Sequence, residues 1–260
     1  MRKTVPALTA SFLILAWLAA CLPTNMPLPP LPTDTPLPPT ATPTATIVWF
    51  PPTATFTPLP TTTRAAAPTS DASPRFGSLI FADDFTRPES WTLGRTPAGV
   101  ATFGKGEISL VVTQPRGYLF SLRQEAALDN FYLEITASPN ICRGGDEYGL
   151  LLRLVSLQDF LRFGLTCRGE TRLDRLSGGQ ASSPHPPSLS GAAPPGAPSR
   201  ARLAVWAFGR EMRFYINGEF QFSVNDPTLL SGGLGVFARA SGDDSLSVSF
   251  SDLAVYQALR

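Results

Sequence analysis

The chain has 260 residues with 21 Lys plus Arg, 20 Asp plus Glu and one His, giving a formal charge of +1. That balance lacks the basic excess that grips nucleic-acid phosphates. With one histidine and three cysteines, it also lacks the convergent His and Cys ligands that a zinc centre needs.

From the N-terminus, MRKTVPALTASFLILAWLAAC opens with the cations Arg2 and Lys3 and continues with an apolar run over 7–20. A membrane-spanning helix needs about 20 apolar residues, so this run reads as the core of a secretory signal. Leu18-Ala19-Ala20-Cys21 resembles the lipobox of bacterial lipoproteins. The resemblance implies a signal peptide over 1–20, its removal, and lipidation of Cys21. Each buried CH₂ contributes about 0.8 kcal/mol, so two or three acyl chains hold a protein on a membrane. The expected location is the extracytoplasmic side of the bacterial cell envelope. A cleaved signal with an incidental Cys21, or an uncleaved anchor, would also export the chain.

From 21 to 74 the sequence is mainly Pro and Thr, with Asp34, Arg64 and Asp71 its only charges. Such a segment buries too little apolar surface to offset its ordering entropy. It is expected to be a disordered, polyproline-rich stalk reaching on the order of 150 Å. Thr-Pro tracts of this kind also suit O-glycosylation.

Residues 75–260 are long enough for one substantial core. With Cys21 lipidated, Cys142 and Cys167 remain. Export favours a disulfide between them, worth about 3 kcal/mol for a loop of this length, and the alternative is two buried thiols. Short apolar–polar alternation broken by Gly, Pro, Asn and Asp predicts strands at 79–85, 107–113, 118–123, 131–138, 147–154, 160–166 and 171–176. More are predicted at 203–208, 212–216, 220–224, 235–240 and 246–256. Asn217-Gly218 predicts a type I′ hairpin with Met212, Phe214, Ile216, Phe220, Phe222 and Val224 facing inward. Residues 177–199 are rich in Gly, Pro and Ser and are expected to be a long loop, either ordered over one sheet or disordered. The pattern predicts an all-β antiparallel sandwich.

Three pieces of the head carry a family resemblance. FADDFTRPESWT, DEYGLLLRLVSLQDFLRFGLTCRGETRLDRL, and RLAVWAFGREMRFYINGEF with its continuation GGLGVFARASGDDSLSVSFSDLAVYQ resemble the concanavalin A-like lectin/glucanase superfamily. They resemble in particular its laminin-G-like and 3-keto-disaccharide-hydrolase-like members. The resemblance implies a jelly-roll sandwich, a fold that hosts lectins, hydrolases and adhesive domains alike. It also raises a structural calcium near Asp83, Asp84 and Asp252, with an entry turn and a strand bulge as the alternative roles for these residues. No other cofactor is expected.

Retaining glucanases of that superfamily carry a Glu-x-Asp-x-(x)-Glu strand with two carboxylates about 5 Å apart. This sequence has no such strand. Its nearest acidic sets are Asp146/Glu147, Glu170/Asp174 and Asp243/Asp244, and the second reads as a salt-bridged solvent face with Arg172. His185 sits in the Pro-rich segment with no nucleophile elbow beside it. Strand parity instead sends Arg162, Arg213, Tyr215 and Gln221 outward, joined by Trp206 and Arg153. Such an aromatic and arginine-bearing platform suits sugar stacking and hydroxyl hydrogen bonds. Core roles for Trp206 and a solvated sheet face for the others are the alternative. The sequence therefore points to non-catalytic recognition of extracellular glycan. A diverged glycoside hydrolase, or a structural or sensory surface domain that binds a protein partner, are the other readings.

Overall fold

The computed structural model describes residues 73–260. The signal, Cys21 and the expected stalk up to residue 72 lie outside the described residues. The first strands in chain order are β1 (Phe76–Asp83), β2 (Gly94–Thr96), β3 (Gly99–Phe103), β4 (Ile108–Val112) and β5 (Tyr118–Leu122). Next come β6 (Phe131–Ile141), β7 (Glu147–Ser156), β8 (Asp159–Thr166), β9 (Glu170–Ser177) and β10 (Gln180–Leu189). The last five are β11 (Ala201–Phe208), β12 (Glu211–Ile216), β13 (Glu219–Asn225), β14 (Gly233–Arg239) and β15 (Leu246–Ala258).

They form two antiparallel sheets. One has the order β13-β12-β11-β6-β15-β4-β3-β2, with β1 also paired to β15. The long β15 explains that branch: Leu246–Phe250 pair with β4, and Leu253–Ala258 continue along β1. The other sheet runs β10-β9-β8-β7-β14-β5. Alternate side chains of both sheets point into one core, including Ile108, Leu110, Leu133, Val205, Phe214, Leu161 and Phe163. Phe163 of one sheet meets Phe214 of the other with ring centroids 4.8 Å apart. Cys142 follows β6 and Cys167 follows β8, and the two form a disulfide between the sheets with Cα atoms 5.8 Å apart.

The β12–β13 hairpin turns at Asn217 and Gly218, whose φ angles of 50° and 81° are those of a type I′ turn. Its face assignment needs a correction. The register shifts between Phe214↔Phe222 and Tyr215↔Phe220, so a bulge at Gln221 reverses the alternation. Phe222 stays in the core, whereas Phe220 packs edge-on to Tyr215 on the outer face.

A second correction concerns residues 177–199. Half of that segment is the edge strand β10, paired to β9. Pro184, Pro186 and Pro187 remove ladder donors, which only an edge strand tolerates, and the register shifts on both sides of His185. The His185 ring stacks on Phe222 at 3.6 Å, closing the edge of the sandwich. Strands β2 and β3 were also not predicted, being three and five residues long.

Candidate functional site

The register of the six-stranded sheet arranges its outer face in cross-strand rows. Tyr118, Arg239, Glu147 and Thr166 lie side by side on β5, β14, β7 and β8, and Thr166 Oγ1 donates to Glu170 Oε2 of β9 at 3.3 Å. The next row is Phe120, Phe237, Gly149, Gly164 and Arg172. The third is Leu122, Gly235, Leu151, Arg162 and Asp174. Two neighbouring glycines in the middle row leave a trough between the aromatic pair Phe120/Phe237 and Arg172.

Glu147 lies over that trough. A Cβ built on Gly164 would stand 1.9 Å from Glu147 Oε1, so the carboxylate occupies the room that the missing side chain leaves. Glu147 is only 2% exposed, and Oε1 accepts no hydrogen bond. The cations nearby stand at ion-pair distance rather than hydrogen-bond distance: Arg172 Nε is 4.0 Å from Oε1 and Arg239 Nη1 3.8 Å from Oε2. Arg162 Nε and Arg172 Nε are likewise buried without a hydrogen-bond partner. Most buried polar atoms find such a partner, so these three exceptions, joined by the unpartnered Tyr118 hydroxyl of the same face, single out this network as a candidate site.

The two buried carboxylates of this network titrate in opposite directions. Burial raises the Glu147 pKa, against the opposing charges of Arg162 and Arg172. Burial alone would also raise that of Asp174, but hydrogen bonds from Arg172, Ser183 and Arg162 hold it below the usual carboxylate value. Arg172 Nη2 and Ser183 Oγ reach Asp174 Oδ1 at 2.7 and 2.6 Å, and Arg162 pairs with Oδ2. Asp174 thus fixes both arginines while Glu147 retains an uncommitted acceptor. Tyr118, which shares the face, is pushed up to about 12 by burial. Beside Glu147 the surface opens into a cleft of about 310 Å³, whose lining includes Arg116, Thr166, Glu170, Arg172 and Arg239.

Of the residues read from the sequence as a ligand-binding platform, only Arg162 belongs to this face. Trp206, Arg213 and Tyr215 lie on the outer face of the nine-stranded sheet, so the expected single platform is divided between the two sides of the sandwich. Trp206 is 4% exposed, donating from Nε1 to the Arg75 carbonyl at 2.9 Å and sitting under the Arg213 guanidinium at 4.7 Å. Tyr215 is buried beside it, and Gln221 Nε2 turns back to the Glu219 carbonyl at 2.9 Å. Arg153 departs furthest from expectation. It is 1% exposed and donates to the backbone carbonyls of Leu229 and Gly209, both at 2.7 Å. Its φ of 48° reflects an irregularity in β7, where the register to β8 and β14 shifts, and this turns its side chain inward.

The expected calcium ligands have protein partners. Asp83 is buried, accepting from Trp91 Nε1 at 3.0 Å and from Arg123 Nε at 3.3 Å, which accounts for the DDF…W pattern. Asp84 accepts from Thr86 Oγ1 at 2.7 Å, and Asp252 pairs with Arg200 at 2.9 Å. Among the described residues, the one place where three potential metal-ligand atoms gather is Cys142, Asp146 and Cys167, away from Asp84 and Asp252. Asp146 itself caps two loops, accepting from the Arg143 and Ser241 backbone at 2.9 and 2.8 Å.

Glu170 and Asp174 face the cleft network instead of open solvent. Arg172, Arg239 and Tyr118 were not recognised as site residues. Gly149 and Gly164, interior to predicted strands, were the available signal, because strand glycines mark close approach of another group.

No family model matches the sequence, and no curated protein matches it. Solved structures do. The chain is similar to a Bacillus subtilis protein of unknown function with a galectin-like fold, at 16% identity and a TM-score of 0.57 over 72% of this chain and 99% of that one. It is similar to the carbohydrate binding module CBM66 from Bacillus subtilis, at 14% identity and 0.53 over 65% and 96%. It is also similar to LamAcat from Zobellia galactanivorans, at 10% identity and 0.52 over 70% and 98%. Likeness at these identities speaks to architecture, and with the two sheets described above it makes the head a concanavalin A-like antiparallel β-sandwich of the jelly-roll type.

Proposed function

We propose that this protein is an exported, lipid-anchored glycan-binding module that holds its ligand on the outer face of the six-stranded sheet without cleaving it. The observation that carries the reading is the set of buried, unpartnered polar atoms around Gly164: the acceptor Glu147 Oε1 and the donors Arg172 Nε and Arg162 Nε. Glu147 Oε1 and Arg172 Nε, 4.0 Å apart, suit a hydroxyl group, which donates one hydrogen bond and accepts others, once the Arg172 or Arg239 side chain swings aside to uncover them. Phe120 and Tyr118, both partly exposed beside the buried Phe237, give the same face an apolar side suited to the C–H surface of a sugar ring. The likeness to a carbohydrate binding module supports the reading at the level of fold.

Non-catalytic binding is favoured over hydrolysis by the bond that ties Glu170 to Thr166 and by the lack of a Glu-x-Asp-x-(x)-Glu strand. The test is a polysaccharide panel applied to the full chain, followed by Glu147→Gln and Arg172→Gln. Saturable binding that falls at least tenfold in both variants is expected. Silence of the folded chain across the panel would refute the reading, and release of reducing sugar that is lost in Glu147→Gln would replace it with the hydrolase. Anchoring rests on the lipobox, and palmitate incorporation that disappears in Cys21→Ser is the corresponding measurement.

A further inference from the structure

Resting on that reading, we infer that the glycan recognised in the cleft is an acidic one, its carboxylate or sulfate seated between Arg116 and Arg239. The cleft beside Glu147 is walled by three arginines, Arg116, Arg172 and Arg239, and by two carboxylates, Glu147 and Glu170. The charges differ in how far they reach the ligand side. Glu147 is enclosed against Gly164, whereas the Arg239 side chain is 47% exposed and only loosely paired with it, at 3.8 Å. Arg172 is committed to Asp174 through Nη2. Arg116 forms no ion pair among the described residues; its backbone is fixed by the bond from its N–H to the Gly242 carbonyl at 2.8 Å.

The surface offered to a ligand is therefore cationic at the Arg116–Arg239 end, with Glu170 the accessible carboxylate on the far side, held by Thr166 Oγ1. The planar forks of two exposed guanidinium groups match the paired oxygens of a carboxylate or sulfate, and a charged acceptor is held more strongly there than a neutral hydroxyl. The row Tyr118–Arg239–Glu147 places Arg239 one strand away from Glu147, on β14 beside β7. Strands in a sheet lie about 4.8 Å apart, so one sugar residue can bridge its ring hydroxyls and its acidic substituent between them.

The experiment is a titration of the full chain with matched ligands: a hexuronate oligosaccharide against its carboxyl-reduced form, and a sulfated galactan oligosaccharide against its desulfated form. At least one acidic member should bind tenfold or more tighter than its neutral partner, and the preference should shrink as salt is raised. Arg116→Gln should abolish that preference while leaving the thermal midpoint unchanged. The uronate and sulfate arms decide which anion is read. Equal affinity within both pairs, with binding lost in Glu147→Gln, overturns the acidic inference and leaves the glycan reading standing. A preference that survives Arg116→Gln also overturns the assignment. Absence of binding to all four ligands and to the wider panel overturns both.

Discussion

Replacing Arg153 by Met separates a structural arginine from a ligand-binding one. The guanidinium is enclosed and joins three segments of chain, donating to the carbonyls of Leu229 and Gly209 at 2.7 Å each and more weakly to that of Asp129 at 3.5 Å. Hydrogen bonds from a charged donor contribute about 1.5–3 kcal/mol each, so the two short ones amount to roughly 3–6 kcal/mol. Two effects oppose that sum. Burying the charge is costly, as its lowered pKa records, and Nε has no hydrogen-bond partner. Methionine fills much of the same volume and keeps the positive φ strain unchanged, so neither a large cavity nor new backbone strain confuses the comparison. The net expectation is a loss of about 3 kcal/mol, or about 6–12 °C in thermal midpoint for a domain of this size. Urea titrations of both proteins supply the free energy, and glycan affinity below the midpoint should be unchanged. A loss under about 1 kcal/mol, or a selective loss of ligand with stability intact, would refute the view of Arg153 as a pin between loops.

Three further outcomes are expected. Because burial raises the Glu147 pKa above its unfolded value, the ionised form is disfavoured in the fold, and stability drops as pH climbs past the ordinary 4.5 and through the folded-state pKa. Glu147→Gln should accordingly melt higher than the parent at pH 7 and alike below pH 4, and a lower midpoint at pH 7 would show that Arg172 and Arg239 outweigh desolvation. Converting Cys142 and Cys167 to Ser together should cost about 3 kcal/mol, for a bond spanning 25 residues, and reductant should lower the parent's midpoint to that of the double variant. Trp206→Ala should cost about 3 kcal/mol because the ring is buried under Arg213, and glycan binding by the folded fraction should be unaltered; a specific binding defect would move the site to the nine-stranded sheet.

Strand positions were legible because alternation and turn chemistry are local. Twelve segments could be placed from apolar periodicity, and Asn217-Gly218 announced its turn through the two positive φ angles it had to adopt. What failed was local information overruled by context. The prolines of β10 argue against a strand anywhere except a sheet edge, and edge position is a property of topology. The bulge at Gln221 is equally silent in sequence: EFQFSV alternates without interruption, yet one extra residue moves Phe220 to the opposite face.

The site was harder to read for a related reason. Its residues are spaced by register across five strands, not by position along one, and a shift of a single residue in any pairing would dissolve the row Tyr118–Arg239–Glu147–Thr166. Single-strand parity could send Arg162 outward but could not say that Arg213 leaves from the other side of the molecule. It also could not show that two glycines fall beside each other. Gly149 opposes Gly164 directly, and a Cβ on Gly149 would stand 2.1 Å from the Phe163 carbonyl oxygen, so backbone packing holds position 149 small. At Gly164 it is the Glu147 side chain that fills the space a Cβ would take. Glu147 uses it, because a carboxylate can be buried there without occupying the volume of a neighbouring side chain. A site of this construction has no contiguous motif, which is why the sequence shows a sandwich plainly and its ligand-facing chemistry only after the strands are paired.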